Sequence, residues 1–407
     1  MTTKYGLRAM MHNLLGAAVA LGSMAILAAP ATAQDKEPIR IGTLLPMTGV
    51  AAPSGASSMA GIEMAIEEIN ANGGILGRQV ELVQADDAAD PTKAVVEARR
   101  LMQNENVDVV IGPTYSQSAL AIAPVASEAN TIYISVAGSL ELTPAKAPMH
   151  FSMQASADGQ GITMLDYAAS KGAKKVALLL DNAANSKTMG AKIHSYAEEL
   201  GVEITEDQEF PFGSTDMTPQ LLSLRRSEPD MLLLSGITGT DVGHALKGVE
   251  DIGWDIPIVG SLTFGADYPN VVKIVGTDIL KNAVGLDIRA FSYCEGSPVG
   301  ESPVAKLMTR LRERVGQERF DILSRAVVLY MYDAVMVAKT AIEATGSTDG
   351  DVLKDWIENN ADKIPATLGQ LYASKESHFL SGGPEANAVI EDLTTIREDG
   401  LRKRAGC

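Results

Sequence analysis

The sequence predicts an α/β protein made of two doubly wound lobes, each built on a mostly parallel sheet. Three observations carry this. Short apolar runs of strand length alternate with amphipathic helical stretches, and the alternation restarts once, near residue 174. A chain of 407 residues is also long enough for two separate cores.

In chain order, IRIGTLLPM (39–47) reads as a strand. SSMAGIEMAIEEINANGG (57–74) follows as a helix, with Ile62, Ala65, Ile66 and Ile69 on one face and a glycine stop. QVELVQAD (79–86) is a strand, and residues 90–106 a helix opened by Asp90 and Pro91. VDVVI (107–111) is a buried strand that feeds the turn GPTYS and a helix over 118–128, before a strand at 131–138. The second series runs strand 174–182, helix 186–201, strand 202–210, helix 217–228, strand 229–237, helix 241–253 and strand 256–262.

Composition narrows the function classes. An apolar share of 46% and a charged share of 21% are ordinary for a globular protein. The first 33 residues form a secretory signal pattern: Lys4 and Arg8, an apolar run over 14–29, and ATA at 31–33 before Gln34. The apolar run is shorter than the roughly 20 residues that span a bilayer, so cleavage near Ala33–Gln34 and a periplasmic location are expected. The mature chain then carries 32 bases against 51 acids, a net charge of −19. Such a surface repels phosphate backbones, so nucleic acid is not an expected partner. Cys294 and Cys407, the only two cysteines, are expected to pair after export and tie the tail to the body. Two cysteines and five scattered histidines give no metal-ligand spacing, and no cofactor is expected.

Catalytic motifs are missing. No G-x-G-x-x-G follows the first strand, and no G-x-x-x-x-G-K-[ST] or G-x-S-x-G is present. SGITGTDVG (235–243) lacks the fingerprint spacing and reads as a tight turn. Asp86 and Asp87 are adjacent at a strand end and point to opposite faces, which makes them a solvated turn rather than a catalytic pair. The chain is therefore not expected to be an enzyme. What remains are hydroxyl-rich turns at the carboxyl ends of strands, where open α/β sheets place ligands: residues 46–55, 112–118, 135–139, 235–241 and 260–267. Each hydroxyl alone can be a cap or turn former. Three such turns in the first lobe point to a shared pocket. The strand-to-helix turn at 112–118 presents free N–H groups and a helix dipole to an anion.

The segments IGTLLPMTG, GIEMAIEEINANGGILGRQVELVQADDAADPTKAVVEARRL, VDVVIGPTYSQSALAIAPVASE and IYISVAGS resemble branched-chain amino-acid-type periplasmic binding proteins, the type I solute receptors of ABC importers. Weaker agreement runs through DGQG (158–161), PDMLLLSG and residues 326–347. The resemblance implies two Rossmann-like lobes joined by a three-stranded hinge. Lobe 1 is expected at 38–157 plus 287–366, and lobe 2 at 158–286 plus 367–407. It also implies a monomer that closes on a small carboxylate-bearing ligand and docks on a membrane permease.

Carried over position by position, the resemblance places the ligand carboxylate on Ser116, with the Tyr115–Ser116 backbone, Ala137 and Ser139. With the flanking turns, the expected binding set is Ser54, Thr114, Tyr115, Ser116, Ala137, Gly138, Ser139, Asn185, Thr238, Asp241, Leu262 and Thr263. Two departures bear on the ligand. Ser54 stands where amino-acid binders carry an aromatic, and Leu262 stands near the acid that pairs with a ligand ammonium. An unpaired ammonium in a closed cleft is costly. Either Asp241 or Asp267 replaces that acid, or the ligand is an aromatic or other organic acid, or an amide; a carboxylate without an ammonium is favoured. A periplasmic sensor of the same fold is the competing expectation.

Overall fold

The computed structural model describes residues 37–407 apart from residue 237, so the expected leader lies outside the described residues. The first sheet is entirely parallel, in the order β2-β1-β3-β4-β5. Its strands are β1 (Ile39–Leu45), β2 (Val80–Asp86), β3 (Val109–Ile111), β4 (Tyr133–Ser135) and β5 (His150–Ser152). Helices α1 (Ala52–Ala71), α2 (Pro91–Arg99) and α3 (Ser116–Glu128) connect them. Both faces of this sheet are covered, so β1, β3 and β4 are near-continuous apolar runs rather than alternating ones.

Asp90 caps α2 by accepting the Lys93 N–H at 2.8 Å, with Pro91 in the first turn. Asp90→Ala is expected to cost about 1 kcal/mol of stability, read as a lower denaturation midpoint in urea with unchanged slope.

The second sheet has the order β12-β10-β9-β8-β6-β7. It contains β6 (Lys175–Asp181), β7 (Glu203–Phe210), β8 (Met231–Ser235), β9 (Ile258–Gly260) and β10 (Ala283–Ile288) in parallel. Its helices are α4 (Ala157–Ser170), α5 (Ala184–Leu200), α6 (Thr218–Arg226), α7 (Gly239–Asp251), α8 (Leu262–Ala266) and α9 (Tyr268–Val275). After β11 (Ser292–Tyr293) come α10 (Pro303–Val315), α11 (Gln317–Phe320), α12 (Arg325–Thr345) and α13 (Gly350–Asn360). Helix α12 packs along α1 beside the first sheet, and its Tyr332 hydroxyl meets Glu68 of α1 at 2.8 Å. The chain ends with β12 (Asn387–Ile390), antiparallel to β10, and β13 (Arg402–Lys403), which pairs with β11.

The chain thus passes between the two sheets three times. The last passage falls later than residue 366. The Ser152 N–H still donates to His378 O at 2.9 Å, and the Leu380 N–H to Ser152 O at 2.8 Å, so residues 378–380 extend the edge of the first sheet. Only β12 joins the second. The tail is tied back by the Cys294–Cys407 disulfide, with Cα atoms 5.6 Å apart. Among the described residues no helix is long and apolar enough to cross a membrane.

Candidate functional site

The carboxyl ends of both sheets face one cavity of about 110 Å³ between the lobes. From the first lobe it is lined by Ser54 of α1, by Thr114, Tyr115, Ser116 and Gln117 at the β3–α3 turn, and by Val136 and Gln154 beyond β4 and β5. The second lobe contributes Asn185 and Ser186 of α5, Gly236 and Thr238 before α7, then Leu262, Thr263, Ala266 and Asp267. Ser324, Ala326, Val327 and Tyr330, at the start of α12, form the rear wall.

Eight of the twelve expected site residues reach this cavity: Ser54, Thr114, Tyr115, Ser116, Asn185, Thr238, Leu262 and Thr263. Ala137, Gly138, Ser139 and Asp241 do not line it, because their polar groups are used inside the protein. The Ala137 N–H goes to Ser135 Oγ at 3.0 Å, and its carbonyl accepts from Ser152 Oγ at 2.7 Å. The Ser139 N–H donates to Ser116 Oγ at 3.3 Å, and Ser139 Oγ meets Thr188 Oγ1 of α5 at 3.2 Å. Gly138 lies against Asn185; a Cβ there would sit 2.4 Å from Asn185 Oδ1. Asp241 forms a capping box with Thr238. The Ser139–Thr188 contact, the Tyr115 and Phe212 rings at 6.4 Å, and the bond from Ser324 Oγ to Ala266 O join the lobes across the cleft.

The two walls have opposite polarity, and helix ends explain why. At α3 the N-cap is Tyr115, whose side chain makes no capping bond, and Ser116 and Gln117 of its first turn line the cavity. In the second lobe the comparable helix ends are already supplied with carboxylates. Asp181 accepts the Ala183 N–H at 2.8 Å and the Ser186 hydroxyl at 2.7 Å at the start of α5. Asp241 caps α7, and Asp267 Oδ2 accepts the Gly239 N–H at 2.7 Å. Burial pushes the carboxyls of Asp181 and Asp267 up to about 6, against the bonds from Ser186 and Gly239 that favour ionisation. It also raises Asp241. Of the three acids, only Asp267 lines the cavity.

No Lys or Arg lines the cavity among the described residues. Buried oxygens of Thr114 (Oγ1), Gln117 (Oε1) and Asn185 (Oδ1) have no protein partner there. The Ser116 hydroxyl and the first turn of α3 offer O–H and N–H donors to an anion. The second-lobe wall offers acceptors to a donor.

The acids at the end of β2 depart from expectation. Asp86 accepts from Met47 N, the Thr48 hydroxyl and Lys93 Nζ, and these bonds hold its carboxyl below the usual range despite partial burial. Asp87 is fully buried rather than solvated, and burial raises it. Neither lines the cavity. Among the described residues no cluster of three or more metal-ligating side chains occurs.

Gln117, Val136, Gly236 and Ala266 lie in the turns expected to hold the ligand without having been singled out, whereas Gln154 and the α12 residues lie outside them. Ala326, Val327 and Tyr330 lie in an apolar helical pattern that reads as core, and most of that helix is core. Gln117 directly follows Ser116 in the anion-binding turn and was within reach of the same reasoning.

Residues 38–383 match the family model described as Periplasmic binding protein. The Leu/Ile/Val-binding protein homolog 7 of Brucella suis is 27% identical over 286 residues, which cover 67% of this chain and 70% of that one. The leucine-, isoleucine-, valine-, threonine- and alanine-binding protein of Pseudomonas aeruginosa is 24% identical over 345 residues, 84% of this chain and 88% of that one. Among solved structures, the branched-chain amino-acid transporter substrate-binding protein LivJ of Streptococcus pneumoniae, in complex with isoleucine, superposes with a TM-score of 0.75 at 23% identity. The match covers 90% of this chain and 98% of that one. An ABC-transporter solute-binding protein of Rhodopseudomonas palustris, in complex with 3,4-dihydroxybenzoic acid, gives 0.74 at 22% identity over 91% and 96%. With the carboxyl ends of two mostly parallel sheets facing one cavity in the type I arrangement, the chain belongs to the periplasmic binding proteins, a family of solute binders and not of enzymes.

Proposed function

We propose that this protein captures, between its two lobes, a small carboxylate bearing a second, hydrogen-bond-donating group, and hands it to the membrane permease of an ABC importer. The polarity of the cavity carries this. A carboxylate fits the open N-terminus of α3 and the Ser116 hydroxyl, where charge-assisted bonds form. Its other end meets the second-lobe acceptors, Asp267 and the unpartnered Oδ1 of Asn185. A ligand with a carboxylate alone would leave the buried Asn185 oxygen without a partner when the cleft shuts, at a cost of about 1–3 kcal/mol.

The donor is an ammonium or a phenolic hydroxyl. The ligands named for two structural neighbours, isoleucine and 3,4-dihydroxybenzoic acid, share this two-ended pattern. Asp267 takes the part of the acid that is missing at Leu262, so an ammonium is not excluded by that departure. The expected export leader and the family support a ligand met outside the cytoplasm.

Calorimetry on the mature protein with matched pairs tests this. L-leucine should bind more tightly than 4-methylpentanoate, or 4-hydroxybenzoate more tightly than benzoate, by at least about tenfold. Equal affinity within both pairs, or binding of neutral amides in place of acids, would overturn it.

A further inference from the structure

The C-terminal strap reaches the donor end of the cavity. Strand β13 pairs with β11, the Ala405 N–H donates to Val389 O at 2.9 Å, and Cys407 is bonded to Cys294, so the strap is fastened to β11 and β12. From it Arg402 turns inward and is 1% exposed. Its Nη1 donates to Gly265 O at 2.7 Å and to Asp287 Oδ2 at 2.8 Å, and its guanidinium lies 5.0 Å from the centre of the Tyr268 ring.

Gly265 and Tyr268 bracket Ala266 and Asp267, the two residues of that turn that line the cavity. The turn has little freedom on its other sides. A Cβ on Gly265 would sit 2.0 Å from Leu286 O, so the turn lies flush on β10, and Ser324 Oγ donates to Ala266 O at 3.2 Å.

We propose that Arg402 is a positioning residue for Asp267, and that the disulfide-tied strap thereby sets the selectivity of the donor end of the cleft. This rests on the proposed role of Asp267. A planar guanidinium suits the task, because it can hold a carbonyl, a carboxylate and a ring face together, whereas an ammonium has no flat face to stack. If Arg402 served only to neutralise buried Asp287, the turn would not depend on it.

The test uses Arg402→Lys, the charge-balanced pair Arg402→Gln/Asp287→Asn, and the released strap Cys294→Ser/Cys407→Ser. Each is read by hydrogen exchange of the ligand-free protein and by affinity for L-leucine, 4-methylpentanoate, 4-hydroxybenzoate and benzoate. Exchange over 262–268 should quicken while the first sheet keeps its wild-type rates, and the preference for the donor-bearing member should shrink by about tenfold. Affinity for the donor-free member should hold. Wild-type exchange over 262–268 in a folded variant, or an equal loss for both members of a pair, would overturn the proposal. If Asp267→Asn itself leaves the preference intact, the donor-end role of Asp267 has failed, and the exchange rates alone decide whether Arg402 holds the turn. Should the charge-balanced pair not fold, Arg402→Lys decides.

Discussion

Asp267→Asn is expected to weaken an ammonium-bearing carboxylate by about 2–5 kcal/mol, because it removes one member of a desolvated charge pair. For a phenolic ligand the loss is about 1.5–3 kcal/mol, the range for hydrogen bonds to charged groups. The donor-free partner, 4-methylpentanoate or benzoate, should be nearly unaffected, so the preference within each pair collapses. Isothermal titration of wild type and variant against the four compounds measures this, and an equal loss for all four would show a structural role instead.

The same residue sets a pH dependence. Burial lifts the Asp267 carboxyl to about 6, so the ionised acceptor is present above that pH and disappears as the pH falls through it. Affinity for the donor-bearing ligand should therefore fall between about pH 7 and pH 5, and the Asn variant should show no such slope. Burial lifts Asp181 to about 6 as well, but Asp181 does not line the cavity. The variant thus assigns the slope to one carboxyl.

How much of this was legible beforehand depended on whether each feature is local in the chain. The doubly wound architecture rests on strand-length apolar runs alternating with amphipathic helices, and those patterns are local. The place of Ser116 at the cavity was legible for the same reason, since strand, turn and helix start are contiguous. The interior roles of Ala137 and Ser139 were not, because their partners Ser152 and Thr188 come from other elements and meet them only in the fold.

Asp87 was misjudged because periodicity at a strand end does not report what covers it. The late return at 378–380 and the short antiparallel β12 carry no sequence period long enough to read. Tyr330 was hidden by success elsewhere: an apolar helix face that fills a core gives no sign that part of it borders a cavity. Leu262, by contrast, was informative through what it lacked. The missing acid made Asp241 and Asp267 the alternatives, and of the two only Asp267 lines the cavity.

Ser116→Ala is expected to weaken every carboxylate ligand by about 1–3 kcal/mol, with or without a donor, since it removes one charge-assisted bond at the anion end. That uniform loss distinguishes it from the selective loss at Asp267. Two features of the structure set the size. Ser116 is 4% exposed, so water does not replace the hydroxyl when the cleft is shut. Its Oγ also accepts the Ser139 N–H, which orients the hydroxyl hydrogen away from that bond and leaves it free for the ligand. The helix N–H groups remain in the variant, so binding should be reduced and not abolished. Ser116→Ala carrying wild-type affinity for L-leucine, 4-methylpentanoate, 4-hydroxybenzoate and benzoate alike would place the carboxylate elsewhere. A loss confined to the donor-bearing members would mean that the ligand lies in the cleft the other way round, with its carboxylate towards the second lobe.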